Sequence, residues 1–416
     1  MRWLVDLLYL LIALVTAPVW LFRMVRTGKI HTDWLARFGK TTSLPSASNQ
    51  RVFFHAVSVG EVNAIRLLVE QLAQDETLEL VIATTTDTGF ARATSLYGSH
   101  HHVVRYPFDF SWAVSRFLRA VKPDLVVLVE LEVWPNFTAH CQRSSIPVCI
   151  VNGRLTARSQ RRYRWLRAVV RPSFTRLAFA AVQNQSFADR FIDLGMNAAC
   201  VQVTDTMKWD TAQITDDVEG AELLAEAFGI DRSRPLVVAG STAPDEHELL
   251  DVSTPEHVQL LCAPRKPEWF DEAAKNLKEC VRRSREEKNS PTGRYLLDTI
   301  GELRMAYALA DVVVIGRSFG QLHGSDMMEP IALGKPTVIG PAYDDFQLTM
   351  DALIEGGGVV QTTREELGDV LRELLDDDQR RLELASKGRD VIRAHHGATN
   401  RHASMIRELL SECGTS

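Results

Sequence analysis

From Arg51 onward, short apolar runs alternate with longer amphipathic stretches. Arg51 to Val57, Leu78 to Thr84, His102 to Arg105, Leu125 to Glu130, Pro147 to Val151 and Phe179 to Val182 read as strands, each followed by a segment of helical periodicity. A second series, Leu236 to Ala239, Val258 to Ala263, Val312 to Ile315 and Pro336 to Ile339, has the same character. Strands spaced by helices predict βαβ units and mostly parallel sheets, so the chain is α/β. The polar stretch Asp210 to Glu219 is the expected hinge between the two series. The predicted divisions are 1–30, 31–212 and 213–416, with the last helix a candidate to pack back on the first domain. No solenoid period, heptad or low-complexity tract interrupts this scheme.

The N-terminus departs from it. Trp3 to Phe22 is almost continuously apolar, broken by Asp6 and Pro18, and is long enough to cross a bilayer. Arg23, Arg26, Lys29, Arg37 and Lys40 follow it. A cleaved signal carries its basic residues before the apolar stretch and small residues after it, so a retained anchor fits better. The basic flank places the remainder on the cytoplasmic side, while Asp6 leaves a shallow or re-entrant insertion open. A buried helix of a soluble fold is the alternative.

A chain of 416 residues is long enough for two or three domains. A net charge of -6 argues against a general nucleic-acid binder, so any basic function is local. The six cysteines (Cys141, Cys149, Cys200, Cys262, Cys280 and Cys413) show no CxxC pair or zinc spacing, as expected of reduced thiols in a cytosolic compartment. No GxGxxG or GxxxxGK[ST] follows a strand, which turns the search away from dinucleotide and P-loop chemistry.

Glu61 closes a strand and small-residue turn, Val52 to Gly60, and opens a helical run. The pattern puts a carboxylate at the carboxyl end of a strand, where open α/β sheets gather ligands, and also in a first helical turn, where the helix dipole stabilises it. Both roles are open on this pattern alone. Glu130 and Glu132 end another strand, with at least one expected toward a ligand and an internal ion pair the reading for the other. Arg154 to Arg176 carries eight arginines with Tyr163, Trp165 and Phe174, as in a solvated helix face or a contact with anionic lipid. Lys208 precedes the hinge, as a surface lysine or as a cation facing a developing negative charge.

Three segments of the second series are candidates to hold a nucleotide. Pro264-Arg265-Lys266 follows a strand, and an arginine fork can grip a phosphate. Asp298 to Leu303 places polar groups and Gly301 at an expected helix start, as an anion site or as an ordinary cap. Gly316 to Gly320 and His323 to Pro330 are glycine-rich backbone leading to Glu329, either a ribose acceptor or a plain helix-start acid.

Taken in order, these segments resemble the 3-deoxy-D-manno-octulosonic acid (Kdo) transferase family. HAVSVGE is present as His55 to Glu61, and ETELWPN as Glu130 to Asn136 with leucine at 131. N-A-R-L-S-x-R-S corresponds to Asn152 to Ser159 with glycine at 153, and AGST to Ala239 to Thr242. PRHPERF is Pro264 to Phe270 with lysine and tryptophan substituted, and DTMGEL is Asp298 to Leu303 with isoleucine substituted. The likeness runs from the anchor to about Gln347. It departs at Gly316 to Pro330, where the family's GGSLxxxGGHNPLEP loses glycine together with the histidine, the asparagine and the proline, and at Asp205 to Asp210, where the family has GNLKFD.

The resemblance implies a GT-B fold, two Rossmann-like doubly wound domains facing a cleft, the architecture shared with some nucleotide-sugar epimerases. It implies inverting transfer of Kdo from CMP-Kdo to the lipid A precursor, lipid IVA, in lipopolysaccharide biosynthesis at the cell inner membrane, with no metal and no cofactor. It makes 31–212 the acceptor-binding domain and 213–416 the CMP-sugar-binding domain. Glu61 is then the general base, with Glu130 and Lys208 stabilising the transition state. Pro264, Arg265, Ile300, Gly301, Glu302, Asp326, Met327, Met328 and Glu329 form the CMP set, and Ser58, Gly60, Arg154, Arg158 and Arg161 form the acceptor set. The expected partners are CMP-Kdo, the lipid A precursor and an anionic membrane surface. Two other functions fit the pattern: a GT-B transferase or epimerase using another sugar nucleotide, and a non-catalytic membrane-anchored lipid A binding protein.

Overall fold

The computed structural model describes residues 2–26, 32–45 and 49–414. Lys29 of the basic flank lies outside the described residues, as do the side chains of Trp3, Arg23 and Cys413. The chain divides into two compact units, Met1–Asp210 with Gly397–Ser416, and Thr211–His396.

The first unit holds a sheet of β1 (Gln50–His55), β2 (Leu78–Thr84), β3 (His102–Arg105), β4 (Leu125–Val129), β5 (Val148–Gly153), β6 (Phe179–Val182) and β7 (Val201–Val203), in the order β3-β2-β1-β4-β5-β6-β7. Every pairing is parallel. Apolar side chains cover both faces, Phe53, Val126 and Ile150 on one and Phe54, Val127 and Val151 on the other, as a doubly wound sheet requires. The second face is completed from the far end of the chain. Ala398, Ala403, Ile406 and Leu410 of the helix Ala398–Gly414 join that core.

The second unit holds β8 (Leu236–Thr242), β9 (Gln259–Pro264), β10 (Val281–Arg282), β11 (Arg294–Leu296), β12 (Val312–Ile315), β13 (Thr337–Ile339) and β14 (Val360–Gln361), ordered β10-β11-β9-β8-β12-β13-β14 and again parallel throughout. Four of the fourteen strands, β7, β10, β11 and β14, are absent from the sequence-based expectation. Each has only two or three residues, too few to show a period, and β11 carries Arg294, whose buried guanidinium pairs with Asp251 at 2.7 Å.

The strand order reverses between β1 and β4 in the first sheet and between β8 and β12 in the second. At such a point the loops at the strands' carboxyl ends leave in opposite directions, and open α/β sheets bind ligands there.

The N-terminal helix Arg2–Arg26 contains Pro18 and is long and apolar enough to cross a membrane. It is not the buried helix of a soluble core, since Leu14, Val15 and Val19 are each more than 70 % exposed. Asp6, an oddity in an apolar segment, is accounted for by its contacts. Its carboxylate accepts the Ser111 N–H at 2.9 Å, the Ser111 hydroxyl, and Asn136 Nδ2 at 2.9 Å. Three donors therefore satisfy the charge, and one turn later Tyr9 donates to Asp109 at 3.0 Å.

Candidate active site

In the first unit the chain leaves β1 at Ala56 and enters the helix Val59–Ala64 with Ser58 at its N-cap. Ser58 Oγ accepts the Glu61 N–H at 3.4 Å, while the Glu61 carboxylate reaches back to the Val57 N–H at 2.8 Å and the Ser58 hydroxyl at 3.0 Å. This reciprocal cap fixes the acid over the end of β1. Burial pushes its carboxyl up from 4.5 to about 7, the charges of Glu130 and Glu132 add to that, and the two hydrogen bonds oppose it. An acid poised near neutrality can accept a proton at working pH.

Glu130 follows β4, across the switch point. Strand alternation does not govern it, because β4 ends at Val129 and Glu130 has φ 60°, in the left-handed region. The charges of both Glu130 and Glu132 act on Glu61. Burial raises the Glu130 carboxyl, and Arg154 and Lys208 pull it back down. Burial also raises Glu132, against the 2.8 Å bond from the Trp134 indole. Three acids and two cations thus share one neighbourhood.

Lys208 opens the short helix Lys208–Thr211, and its N–H donates to Thr206 Oγ1 at 3.3 Å. The preceding Met207 N–H is held by Asn152 Oδ1 at 3.3 Å. Asn152 has φ 52°, and its own N–H donates to His402 Nε2 at 2.9 Å. Asp210 accepts the N–H groups of Gly397 at 2.6 Å and Thr399 at 2.5 Å. The last helix therefore braces the turn that carries Lys208, a support that no local motif reveals.

Ser58 is half-buried and Gly60 exposed beside Glu61, and Arg154 is exposed beside Glu130. Arg158 and Arg161 project from the helix Ala157–Trp165, which buries none of its residues and leaves Trp165 92 % exposed.

In the second unit Pro264 ends β9, buried, and the exposed Arg265 follows with its N–H on Thr242 O at 3.0 Å. The Asp298 segment is not a helix cap. The helix begins at Leu303, and Asp298 instead takes Arg282 Nε at 2.7 Å and the Ser284 N–H at 2.7 Å. Ile300 stands 76 % exposed on that loop, Gly301 has φ 100°, and Glu302 pairs with Arg283 at 3.1 Å. Asp326 Oδ1 accepts the Met328 N–H at 2.9 Å, and Glu329 pairs with Arg304 at 3.4 Å. Met327 and Met328 are buried, which leaves only their backbone to face a ligand.

Tyr307 draws this set together. Its buried hydroxyl is raised by burial and by the charges of Glu329 and Asp326, against that of Arg265. Glu246 is the other residue that sequence patterns miss. Fully buried, it gathers the N–H groups of Ala243 at 2.8 Å, Arg317 at 2.7 Å, Ser318 at 2.9 Å and Phe319 at 3.1 Å, and so shapes the loop after β12. An acid spaced four residues beyond the AGST stretch was its only signal. Among the described residues, no three His, Cys, Asp or Glu are grouped to hold a metal ion.

Residues 32–211 match the family described as 3-Deoxy-D-manno-octulosonic-acid transferase (kdotransferase). The 3-deoxy-D-manno-octulosonic acid transferase of Haemophilus influenzae is 30% identical over 400 residues, covering 93% of each chain. That of Bordetella pertussis is 30% identical, covering 94% of this chain and 96% of its own. Among solved structures, Anabaena HepE in complex with UDP aligns with a TM-score of 0.59 at 16% identity, over 87% of this chain and all of that one. The UDP-GlcNAc 2-epimerase of Neisseria meningitidis aligns at 0.57 and 12% identity, over 87% and 100%. The two structural likenesses establish a GT-B-type fold and no more. With relatives at 30% identity aligned along nearly their whole length, the chain belongs to the Kdo transferase family and is a glycosyltransferase.

Proposed function

We propose that the protein transfers Kdo from CMP-Kdo to a hydroxyl of the lipid A precursor, lipid IVA, in lipopolysaccharide biosynthesis. The observation that carries this reading is Glu61, a carboxyl raised to about 7 and aimed by two hydrogen bonds at the switch point of its sheet. Glu61 takes the acceptor hydroxyl proton as that oxygen bonds to the anomeric carbon of Kdo, and the bond from that carbon to the CMP phosphate oxygen breaks. A single displacement of this kind inverts the anomeric centre. Lys208, held with Glu130, balances the charge that builds as CMP departs.

Pro264, Arg265, the Ile300–Glu302 loop and Asp326 to Glu329 hold CMP. Ser58, Gly60, Arg154, Arg158 and Arg161 receive the phosphorylated lipid, with the exposed arginines meeting anionic headgroups. The N-terminal helix anchors the chain in the cell inner membrane, with both units on the cytoplasmic face. The basic residues that follow the apolar stretch support that orientation.

The test is direct. Full-length enzyme with CMP-Kdo and lipid IVA in mixed micelles releases CMP, and the lipid product gains the mass of Kdo. Calorimetric titration that found UDP bound in preference to CMP would overturn the donor assignment.

A further inference from the structure

The loop after β12 carries a feature that the reaction above does not use. Arg317 stands at the second unit's switch point with φ 59°, a conformation that suits glycine and disfavours a bulky L-residue. That backbone is over-determined. Glu246 binds the Arg317 N–H at 2.7 Å and those of the next two residues, Arg317 O accepts the Gly324 N–H at 2.9 Å, and Gly316 packs so closely on β8 that a Cβ there would lie 2.4 Å from Thr242 Cα. The fold holds an arginine in place where glycine would sit without strain, and such strain concentrates where a side chain is used.

The guanidinium has no use inside the protein. It is half-buried, yet among the described residues no hydrogen bond or ion pair reaches it. The two nearest acids in sequence across β8 are occupied, Glu246 by four backbone N–H groups and Asp245 by Arg364 at 3.5 Å. Leaving a cation partly desolvated and unpaired is unfavourable unless an anion completes it. Arg265, on the other neighbour of β8, likewise has no hydrogen bond or ion pair at its side chain among the described residues. Two cations therefore flank the end of β8.

We infer that Arg317 binds the phosphate of the sugar nucleotide, as a specificity residue supplied by a side chain where backbone alone would fit. The inference rests on the donor assignment above and adds to it a second cation, one held in a left-handed turn.

Arg317→Gly is the test, because glycine accepts the same backbone and removes only the side chain. The full-length variant should melt no lower than the wild type. Its affinity for CMP in calorimetry should fall about 10- to 100-fold, the worth of a hydrogen-bonded ion pair, while its affinity for cytidine is unchanged. Arg317→Lys should recover part of the loss. Equal CMP affinity in Arg317→Gly and wild type overturns the inference, including the case where only the KM for CMP-Kdo rises, which would move Arg317 to the sugar carboxylate. A wild-type chain that binds no CMP defeats the donor assignment itself, a separate and recognisable failure.

Discussion

Replacing Glu61 by glutamine should move activity and stability in opposite directions. The amide keeps the local geometry, since its oxygen can accept the Val57 N–H and its NH2 group can donate to Ser58 Oγ. What disappears is the ability to take a proton and, above neutral pH, a charge facing Glu130 and Glu132. Loss of a general base lowers the rate by about 10²- to 10⁴-fold. The stability term has the other sign. The folded carboxyl is raised from 4.5 to about 7, so the native state holds its proton more tightly than the unfolded chain does. That contribution is complete below the unfolded value and is lost as pH rises through about 7. At 1.36 kcal/mol per unit the ceiling is about 3 kcal/mol, and partial exposure reduces it to about 1–3 kcal/mol. Urea denaturation at pH 8 should find the variant more stable by that amount, with the difference vanishing near pH 4. Initial rates of CMP release should rise tenfold per pH unit below about 7 in the wild type and then level off. A variant less stable at pH 8, with a rate within tenfold of wild type, would show that Glu61 is a helix cap and nothing more.

Three other perturbations follow from the packing. Glu246→Gln leaves buried backbone N–H groups facing an amide with one acceptor oxygen, and should cost about 2–4 kcal/mol in denaturant melts while weakening CMP binding. Asp6→Ala removes the acceptor of Ser111 and Asn136, which should cost about 1–3 kcal/mol and speed hydrogen exchange at the Ser111 amide. Gly240→Ala would set a Cβ 1.9 Å from the Tyr307 hydroxyl, so a thermal melt should fall by the equivalent of about 1–3 kcal/mol.

The long buried strands were legible because a parallel sheet covered on both faces writes continuous apolar runs such as Leu125–Val129. β10 and β14 were not, because two residues at a sheet edge carry no period. Glu61 stood out as the acid that closes a strand, turn and helix. Glu246 did not, because its importance lies in four N–H groups, three of them about seventy residues away. The backbone at Glu130 was not legible either, since it stands at φ 60° just past the end of β4. A side-chain pattern does not report φ.

The brace formed by the helix Ala398–Gly414 sets an order of manufacture. The first unit is interrupted in sequence by the whole of the second, so its sheet has one face open until Ile406 and Leu410 have been made. A nascent chain already contains Glu61, Glu130 and Lys208 by the time the insertion begins, yet Asn152 has no His402 to receive its N–H and Asp210 has no amide of Gly397 or Thr399 to hold. Residues 211–396 form a unit of their own and can mature during synthesis, whereas the first unit is completed by the final turns of the chain. A ribosome that stops early releases Glu61, Glu130 and Lys208 without the helix that completes their unit.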